Sequence, residues 1–181
     1  MIFVKRFVVQ VFLLSSLLLG YSSSWASDYF YNEDLPPVKI INTADFRVDS
    51  RLAIKNQAPI LILFAMEDCA YCHFVEEEHL KPMLRNPADY GDKVIIRRVM
   101  TDDFDTLIDF DGKEISNMDF SARYGAYYSP TVVFLDHNGK RLSLILGVRN
   151  TDFYGGDLDN SIELSLQKIR TQLAALKETT W

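Results

Sequence analysis

The feature that most constrains this chain is a pair of cysteines three positions apart, Cys69 and Cys72, directly after an apolar run at residues 60–66. A continuous apolar run rich in branched residues is typical of a strand that is covered on both faces. The pattern after Cys69 is helical, which would place this thiol at a helix N-terminus, where unpaired N–H groups and the helix dipole stabilise a thiolate. The pair therefore predicts redox chemistry rather than packing.

Residues 1–26 have the composition of a secretory signal peptide. Lys5 and Arg6 form its basic start, residues 7–19 are almost entirely apolar, and small residues at its end fit a signal-peptidase site. The apolar run is shorter than the roughly 20 residues that span a bilayer, and a retained membrane anchor is the alternative. We therefore expect export to the periplasm, cleavage, and a single domain at residues 27–181.

Charge and cysteine count argue against several classes of protein. Lys5 and Arg6 are the only charged residues before position 27, so the remainder carries 17 basic and 25 acidic residues, a net charge of −8. Such a surface does not favour nucleic-acid or anionic-membrane binding. Two cysteines do not make a disulfide-dense scaffold, and a bond across so short a loop gains little from loop closure. We therefore expect a disulfide that opens and closes, with no metal or other cofactor.

Periodicity and turn signals predict alternating helices and strands. Thr43 is a candidate N-cap for a helix over 44–55, in which Val48 and Leu52 would face inward. The acidic segment 101–116 contains an Asp-Gly pair and indicates an excursion from the core, as a hairpin or a short extended piece. The other predicted elements are strands at 38–41, 60–66, 94–99, 129–136 and 141–147, helices at 70–84, 117–124 and 159–177, and loops at 86–92 and 148–156.

Within the helix at 70–84, the three glutamates Glu76, Glu77 and Glu78 are expected to lie largely in solvent. Asn138-Gly139 stands between two apolar runs and predicts a hairpin.

The order of elements, with a C-x-x-C at the end of a buried strand and a proline at the start of a later one, resembles the thioredoxin-like superfamily. The residues that carry this match are Cys69-Ala70-Tyr71-Cys72, Tyr124-Gly125, Ser129-Pro130-Thr131 and the strand and turn that continue to Gly139.

In detail the chain resembles the periplasmic thioredoxin-related, SoxW-like branch, which also has an Asp-Gly excursion and a Tyr-Gly-Gly stretch before its last helix. The resemblance implies an α/β thioredoxin fold, a central mixed sheet flanked by helices. It also implies that Pro130 is cis and lies against the dithiol, with Ser129 offering backbone hydrogen bonds to a substrate peptide. Tyr71 and Pro130 would line the substrate surface.

The expected reaction follows from the spacing of the thiols. Cys69 would attack a substrate disulfide, and Cys72, one helical turn away, would resolve the mixed disulfide. The expected partners are protein thiols or disulfides and, by the resemblance, a membrane thiol-electron donor, with the protein acting as a monomer.

Two departures from the family pattern bear on the direction of the reaction. Thioredoxins bury an acid six residues before the first cysteine, where this chain has Leu63, so Glu67 or water would have to accept the proton of Cys72. The usual tryptophan before the first cysteine is Asp68 here, and acids at 67 and 68 oppose thiolate formation at Cys69. A less stabilised thiolate makes a dithiol less oxidising, which favours a reductase.

Other functions remain open on the sequence alone. A strong dithiol oxidant of the same fold is one alternative, and an inert structural bridge is another. Cys69-Ala70-Tyr71-Cys72-His73 also satisfies the C-x-x-C-H pattern for covalent c-type haem attachment, with Met83, Met100 or Met118 as conceivable axial ligands. The apolar strand before Cys69 and the proline-led hairpin argue against a small helical cytochrome.

Overall fold

The computed structural model describes residues 37–179, and the signal peptide predicted at residues 1–26 lies outside them. In the described part of the chain, no helix is long and apolar enough to cross a membrane. The strands are β1 Ile41–Asn42, β2 Ile60–Ala65, β3 Ile95–Met100, β4 Thr106–Ile108, β5 Glu114–Ser116, β6 Thr131–Leu135 and β7 Arg141–Leu146. The helices are α1 Phe46–Asn56, α2 Ala70–Val75, α3 Lys81–Arg85, α4 Pro87–Tyr90, α5 Asn117–Arg123 and α6 Tyr154–Thr179, and a π-helix, Glu76–Leu80, joins α2 to α3.

Five strands form a mixed sheet in the order β1-β3-β2-β6-β7. β1, β3 and β2 run parallel, whereas β6 is antiparallel to β2, and β7 to β6. The predicted thioredoxin fold, with a central mixed sheet flanked by helices, is confirmed. All six residues of β2 are buried, because the strand has a neighbour at each edge and a packed layer on each face.

Each face of the sheet has its own apolar core. Leu61 and Leu63 of β2 point to one face, where they pack with Cys72 and with residues of α6 such as Ile162. The alternate residues of β2 point to the other face, which is covered by aromatic residues of α1 and α5. Helix α2, which begins directly after Cys69, therefore lies on the Leu63 face.

The excursion at 101–116 contains a hairpin, one of the two forms predicted for it. β4 and β5 form a separate two-stranded antiparallel sheet, with Ile108 opposite Glu114. The hairpin joins the domain through an isolated parallel bridge between Asp45 and Ile108, and Phe110 at its turn stacks on Phe46 of α1.

The prediction for the first helix was wrong in its cap and its buried face. Asp45, not Thr43, is the N-cap, and its side chain accepts a hydrogen bond from Arg47 N–H at 2.9 Å. Val48 and Leu52 are exposed, because the helix instead buries Phe46 in the aromatic cluster and Asp49 in an ion pair. Asp49 Oδ1 lies 2.7 Å from Nε of Arg97 in β3, so a paired carboxylate occupies an inward position that periodicity assigned to apolar residues.

Three further features differ from the sequence predictions. Glu76 was expected in solvent, but its carboxylate is buried and paired with Arg98 of β3. The predicted loop at 86–92 contains the short helix α4. The last helix begins at Tyr154 rather than at 159, because the Tyr154 ring is buried against Phe74 and thereby fixes the first turn of α6.

Candidate active site

Cys69 and Cys72 form a disulfide at the N-terminus of α2. Cys69 is the N-cap residue, and its Sγ accepts a hydrogen bond from the N–H of Cys72 at 3.2 Å. Its carbonyl accepts hydrogen bonds from Cys72 N–H and His73 N–H, which closes the first turn. The N-cap position of Cys69 therefore supplies the local N–H donation that stabilises a thiolate.

The two sulfurs differ in access. Cys69 is partly buried, whereas Cys72 has only 2% of its surface exposed and belongs to the apolar core on the Leu63 face. Tyr71 between them is exposed. A partner can therefore approach Cys69 more readily than Cys72, as the roles of nucleophile and resolving thiol require.

The loop between β2 and Cys69 is fixed by the end of β3. Thr101 N–H donates to Ala65 O at 2.8 Å, and Glu67 N–H donates to the Asp102 carboxylate at 2.9 Å. Glu67 and Asp68 themselves are exposed. The disulfide thus lies at the carboxyl ends of β2 and β3, where the backbone is anchored to both strands.

The Ser129–Pro130 peptide bond is cis, and this turn lies at the same sheet edge. Thr131, the next residue, pairs with Phe64 of β2, and Pro130 O accepts a hydrogen bond from Gly147 N–H at 2.9 Å. The Ser129 hydroxyl lies 3.4 Å from that of Thr101, which in turn donates to Ala65 O. The predicted site residues Tyr71, Ser129 and Pro130 therefore belong to segments that meet where β2 ends.

Two exposed tyrosines immediately before the cis bond were missed by the sequence analysis. Tyr127 and Tyr128 are both largely exposed, and Tyr128 O accepts a hydrogen bond from the Thr131 hydroxyl at 2.6 Å. Large exposed aromatic side chains next to the cis-proline turn suit contact with a polypeptide. Their position next to Ser129-Pro130 in the sequence was the available signal.

A partly buried ion pair on the helix that carries Cys72 was also missed. Arg98 of β3 pairs in register with Leu63 of β2, and its Nη1 donates to both carboxylate oxygens of Glu76 at 2.8 and 3.0 Å. Its Nε donates to Asn42 Oδ1 at 2.7 Å. Leu63 is fully buried, so a charged pair from the neighbouring strand and the active-site helix lies beside an apolar strand position.

Within residues 37–179, no group of three or more His, Cys, Asp or Glu side chains is arranged to hold a metal ion. His73, which completes the C-x-x-C-H pattern, is exposed on α2.

A family model described as a thioredoxin-like domain matches residues 46–152, more than half of the chain. The protein belongs to the thioredoxin-like family. No curated protein matches this thioredoxin-like chain. The periplasmic, SoxW-like branch stays a prediction.

Solved structures of the same fold resemble this thioredoxin-like protein. The structure titled DsbH oxidoreductase is 17% identical, with a TM-score of 0.51, over 74% of this chain and 96% of that one. A thioredoxin from Malassezia sympodialis is 18% identical, with a TM-score of 0.46, over 72% and 96%. A thioredoxin-fold protein from Helicobacter pylori is 16% identical, with a TM-score of 0.42, over 67% and 87%. The DsbH likeness supports the fold and no finer assignment.

Proposed function

We propose that this protein is a periplasmic thiol-disulfide oxidoreductase that reduces protein disulfides. The observation that carries the proposal is the Cys69–Cys72 disulfide, with Cys69 accessible at the N-cap of α2 and Cys72 buried behind it. An inert bridge has no need of this difference in access, and it would add little stability across so short a loop.

The reaction begins with the reduced protein. The Cys69 thiolate attacks a substrate disulfide, a mixed disulfide forms, and the first substrate sulfur leaves as a thiolate. Cys72 then loses its proton and attacks Cys69, so the Cys69–Cys72 bond forms and the second substrate thiolate leaves. Two electrons pass from the dithiol to the substrate, and a thiol-electron donor in the membrane restores the dithiol.

The residues around the disulfide support a reductant rather than an oxidant. Glu67 and Asp68 carry negative charge directly before Cys69 and oppose the thiolate that the helix N-terminus favours. A dithiol whose thiolate is less stabilised gives up its electrons more readily. Tyr71, Ser129 and Pro130 would form the surface on which a substrate polypeptide lies.

The fold and the disulfide also support dithiol chemistry over haem attachment. In c-type attachment both cysteine sulfurs are bonded to the haem, whereas here they are bonded to each other at the end of a central strand. The composition of residues 1–26 supports export, and the protein would act as a monomer in the periplasm.

The Cys72→Ser variant tests the assignment of the two thiols. It should accumulate stable mixed disulfides on Cys69 when exposed to protein disulfides, because the resolving thiol is missing. The matched variant Cys69→Ser should trap nothing comparable, since the remaining thiol is buried. Equal trapping by both variants, or by neither, would show that the roles are wrong.

The reduction potential tests the direction. Equilibration of the residue 27–181 protein with glutathione should give a value near the roughly −270 mV of thioredoxin. A value near roughly −120 mV would instead make the protein a disulfide donor. A haem absorption band in the visible spectrum would contradict the dithiol function altogether.

A further inference from the structure

Resolution of the mixed disulfide requires the proton of Cys72 to leave a buried thiol. Cys72 is 2% exposed and packs in the same core as Leu63, Val75 and Val132, all of them apolar. Burial among apolar groups disfavours a thiolate, and only a thiolate attacks a disulfide at a useful rate. A group near Cys72 that accepts its proton would therefore speed this step near neutral pH.

One pocket adjoins the buried thiol. Its volume is about 350 Å³, and Cys72, Glu76, Arg98 and Met100 contribute to its wall. This volume leaves room for several water molecules, each of which occupies roughly 30 Å³ in the liquid. The other ionisable side chains that line it are Glu67, His73, Asp102 and Asp103.

Glu76 differs from these other groups in being buried and fixed. Only 7% of its surface is exposed, and Arg98 Nη1 holds both of its carboxylate oxygens. Glu67, His73 and Asp102 are exposed, so water competes for each of them. Asp103 is only half-buried, and its hydrogen bonds, from the Asn117 side chain at 2.8 Å and from Asp105 N–H at 3.2 Å, hold it to α5 and to its own loop rather than to the helix that carries Cys72.

The backbone of the active-site helix fixes Glu76 one turn after Cys72. The N–H of Glu76 donates to the carbonyls of Cys72 and His73 where the α-helix passes into the π-helix Glu76–Leu80. Single π-turns of this kind occur frequently at functional sites. Arg98 reaches the carboxylate from β3, at the level of Leu63, so the pair is held from two elements at once.

We propose that Glu76, held by Arg98, accepts the proton of Cys72 through water in this pocket when the mixed disulfide is resolved. The S–H bond of Cys72 breaks, its electron pair forms the bond to Cys69 Sγ, and the Cys69–substrate bond breaks to release a substrate thiolate. The proton rests on the Glu76 carboxylate and passes to solvent through the pocket. This inference rests on the proposed function, since it concerns the second step of that reaction.

A two-phase measurement separates the second step from the first. Reduced protein is mixed with one equivalent of dithiobis(nitrobenzoate), an aryl disulfide that releases a coloured thiolate at each step. The first release reports attack by Cys69, and the second reports resolution by Cys72. In Glu76→Gln, the first release should be unchanged and the second slower by about 100-fold near neutral pH, the size of a typical general-base effect.

The pH profile distinguishes proton transfer from structural damage. The second release in the wild type should be nearly independent of pH around neutrality, because the base is built in. In Glu76→Gln it should rise about tenfold per pH unit, since hydroxide must replace the carboxylate. Glu78→Gln makes the same chemical change at an exposed position of the same π-helix, and it should leave both releases as in the wild type.

A second variant controls for the unpaired positive charge that Glu76→Gln would leave on Arg98. Glu76→Gln combined with Arg98→Met removes both charges, so no half-buried guanidinium is left without its partner. The combined variant should show the same slow, pH-dependent second release. Recovery of the wild-type second release in it would overturn the proposal, as would a slow second release in Glu67→Gln but not in Glu76→Gln.

The assay also keeps the two proposals apart. Absence of the first release in the wild type would overturn the proposed function, and the role of Glu76 with it. An intact first release, followed by a second release that Glu76→Gln does not slow, would overturn the role of Glu76 alone.

Discussion

Asp109→Asn should destabilise the protein more than the same change at Asp136, a chemically equivalent turn residue. Asp109 is only 2% exposed and closes the turn between β4 and β5. Its Oδ1 accepts hydrogen bonds from Asp111 N–H and Lys113 N–H, both at 3.0 Å. Its Oδ2 lies 3.0 Å from Nη1 of Arg123 in α5, so this one carboxylate fixes the turn and ties it to the helix.

The magnitude follows from which of these bonds asparagine keeps. Its amide oxygen can still accept from the two backbone N–H groups, but as a neutral group, and the contact with Arg123 is lost. Hydrogen bonds to charged groups contribute about 1.5–3 kcal/mol each. The contribution of Arg123 is smaller, because its side chain is 44% exposed and water replaces part of the lost contact. We therefore expect a loss of about 2 kcal/mol in the free energy of unfolding, or about 6 °C in Tm.

Asp136 provides the matched control, because the segment Asp136–Lys140 repeats this turn. Its Oδ1 accepts from Asn138 N–H and Lys140 N–H, both at 2.9 Å, and within the described residues it has no ion pair. Asp136→Asn should cost about 1 kcal/mol, since only the two backbone hydrogen bonds weaken. The difference between the two variants isolates the contribution of Arg123.

The cost at Asp109 should also depend on pH. Burial raises the pKa of the Asp109 carboxyl, but hydrogen bonds from Lys113 N–H, Arg123 and Asp111 N–H outweigh burial and hold this pKa below its usual value. A lowered folded-state pKa contributes stability above the unfolded pKa of about 3.9, and that stability is lost as pH falls through the folded-state value. The gap between wild type and Asp109→Asn should therefore be full above about pH 5 and shrink in more acidic solution.

Urea unfolding of the oxidised proteins at several pH values measures these differences. Equal costs for Asp109→Asn and Asp136→Asn would refute the role of Arg123. A gap that stays constant down to the lowest pH at which the protein folds would refute the lowered pKa.

Three other predictions test the packing and its effect on a buried tyrosine. Gly139→Ala should lower the free energy of unfolding more than Gly147→Ala, as measured by urea unfolding of both variants. Both glycines have positive φ, but an added Cβ at Gly139 would meet the Phe110 ring at 2.5 Å, whereas at Gly147 nothing lies within 4 Å. Phe120→Ala should cost about 3–5 kcal/mol in the same assay, since the ring is fully buried. Burial raises the pKa of Tyr124 to about 12, so its neutral form stabilises the fold up to pH about 10, and this stability should disappear as pH rises to about 12. Tyr124→Phe should weaken that alkaline loss in thermal melts, and an unchanged loss would contradict it.

Local patterns predicted much of the fold. The apolar run before Cys69 predicted the buried central strand, and the Asn-Gly pair predicted the hairpin whose turn contains Gly139. The Asp-Gly pair indicated the excursion whose turn contains Gly112. Both glycines have φ near +78°, a conformation that the residue type itself favours. Signals of this kind lie within a few residues of the structure that they specify, so they can be read without knowledge of the rest of the chain.

Predictions of side-chain burial failed where they depended on distant partners. Val48 and Leu52 fit an inward stripe, yet α1 buries Asp49, because Asp49 pairs with Arg97. Arg97 lies 48 positions further along the chain. Glu76 was expected in solvent with Glu77 and Glu78, but its carboxylate is buried because it pairs with Arg98. A buried carboxylate is stable only with its partner, and periodicity within one helix contains no information about that partner.

The sequence by itself determined the dithiol, its place between a central strand and a helix, and the positions of the main turns, because strand burial, capping and turn preferences act over a few residues. The tertiary structure alone decided which thiol is buried and which acid stands beside it. Parallel pairing of β2 with β3 places Arg98 level with Leu63. Glu76, the first residue of the π-helix, forms the ion pair with Arg98. Those contacts join three elements through the packed core, where side-chain burial depends on all of them together.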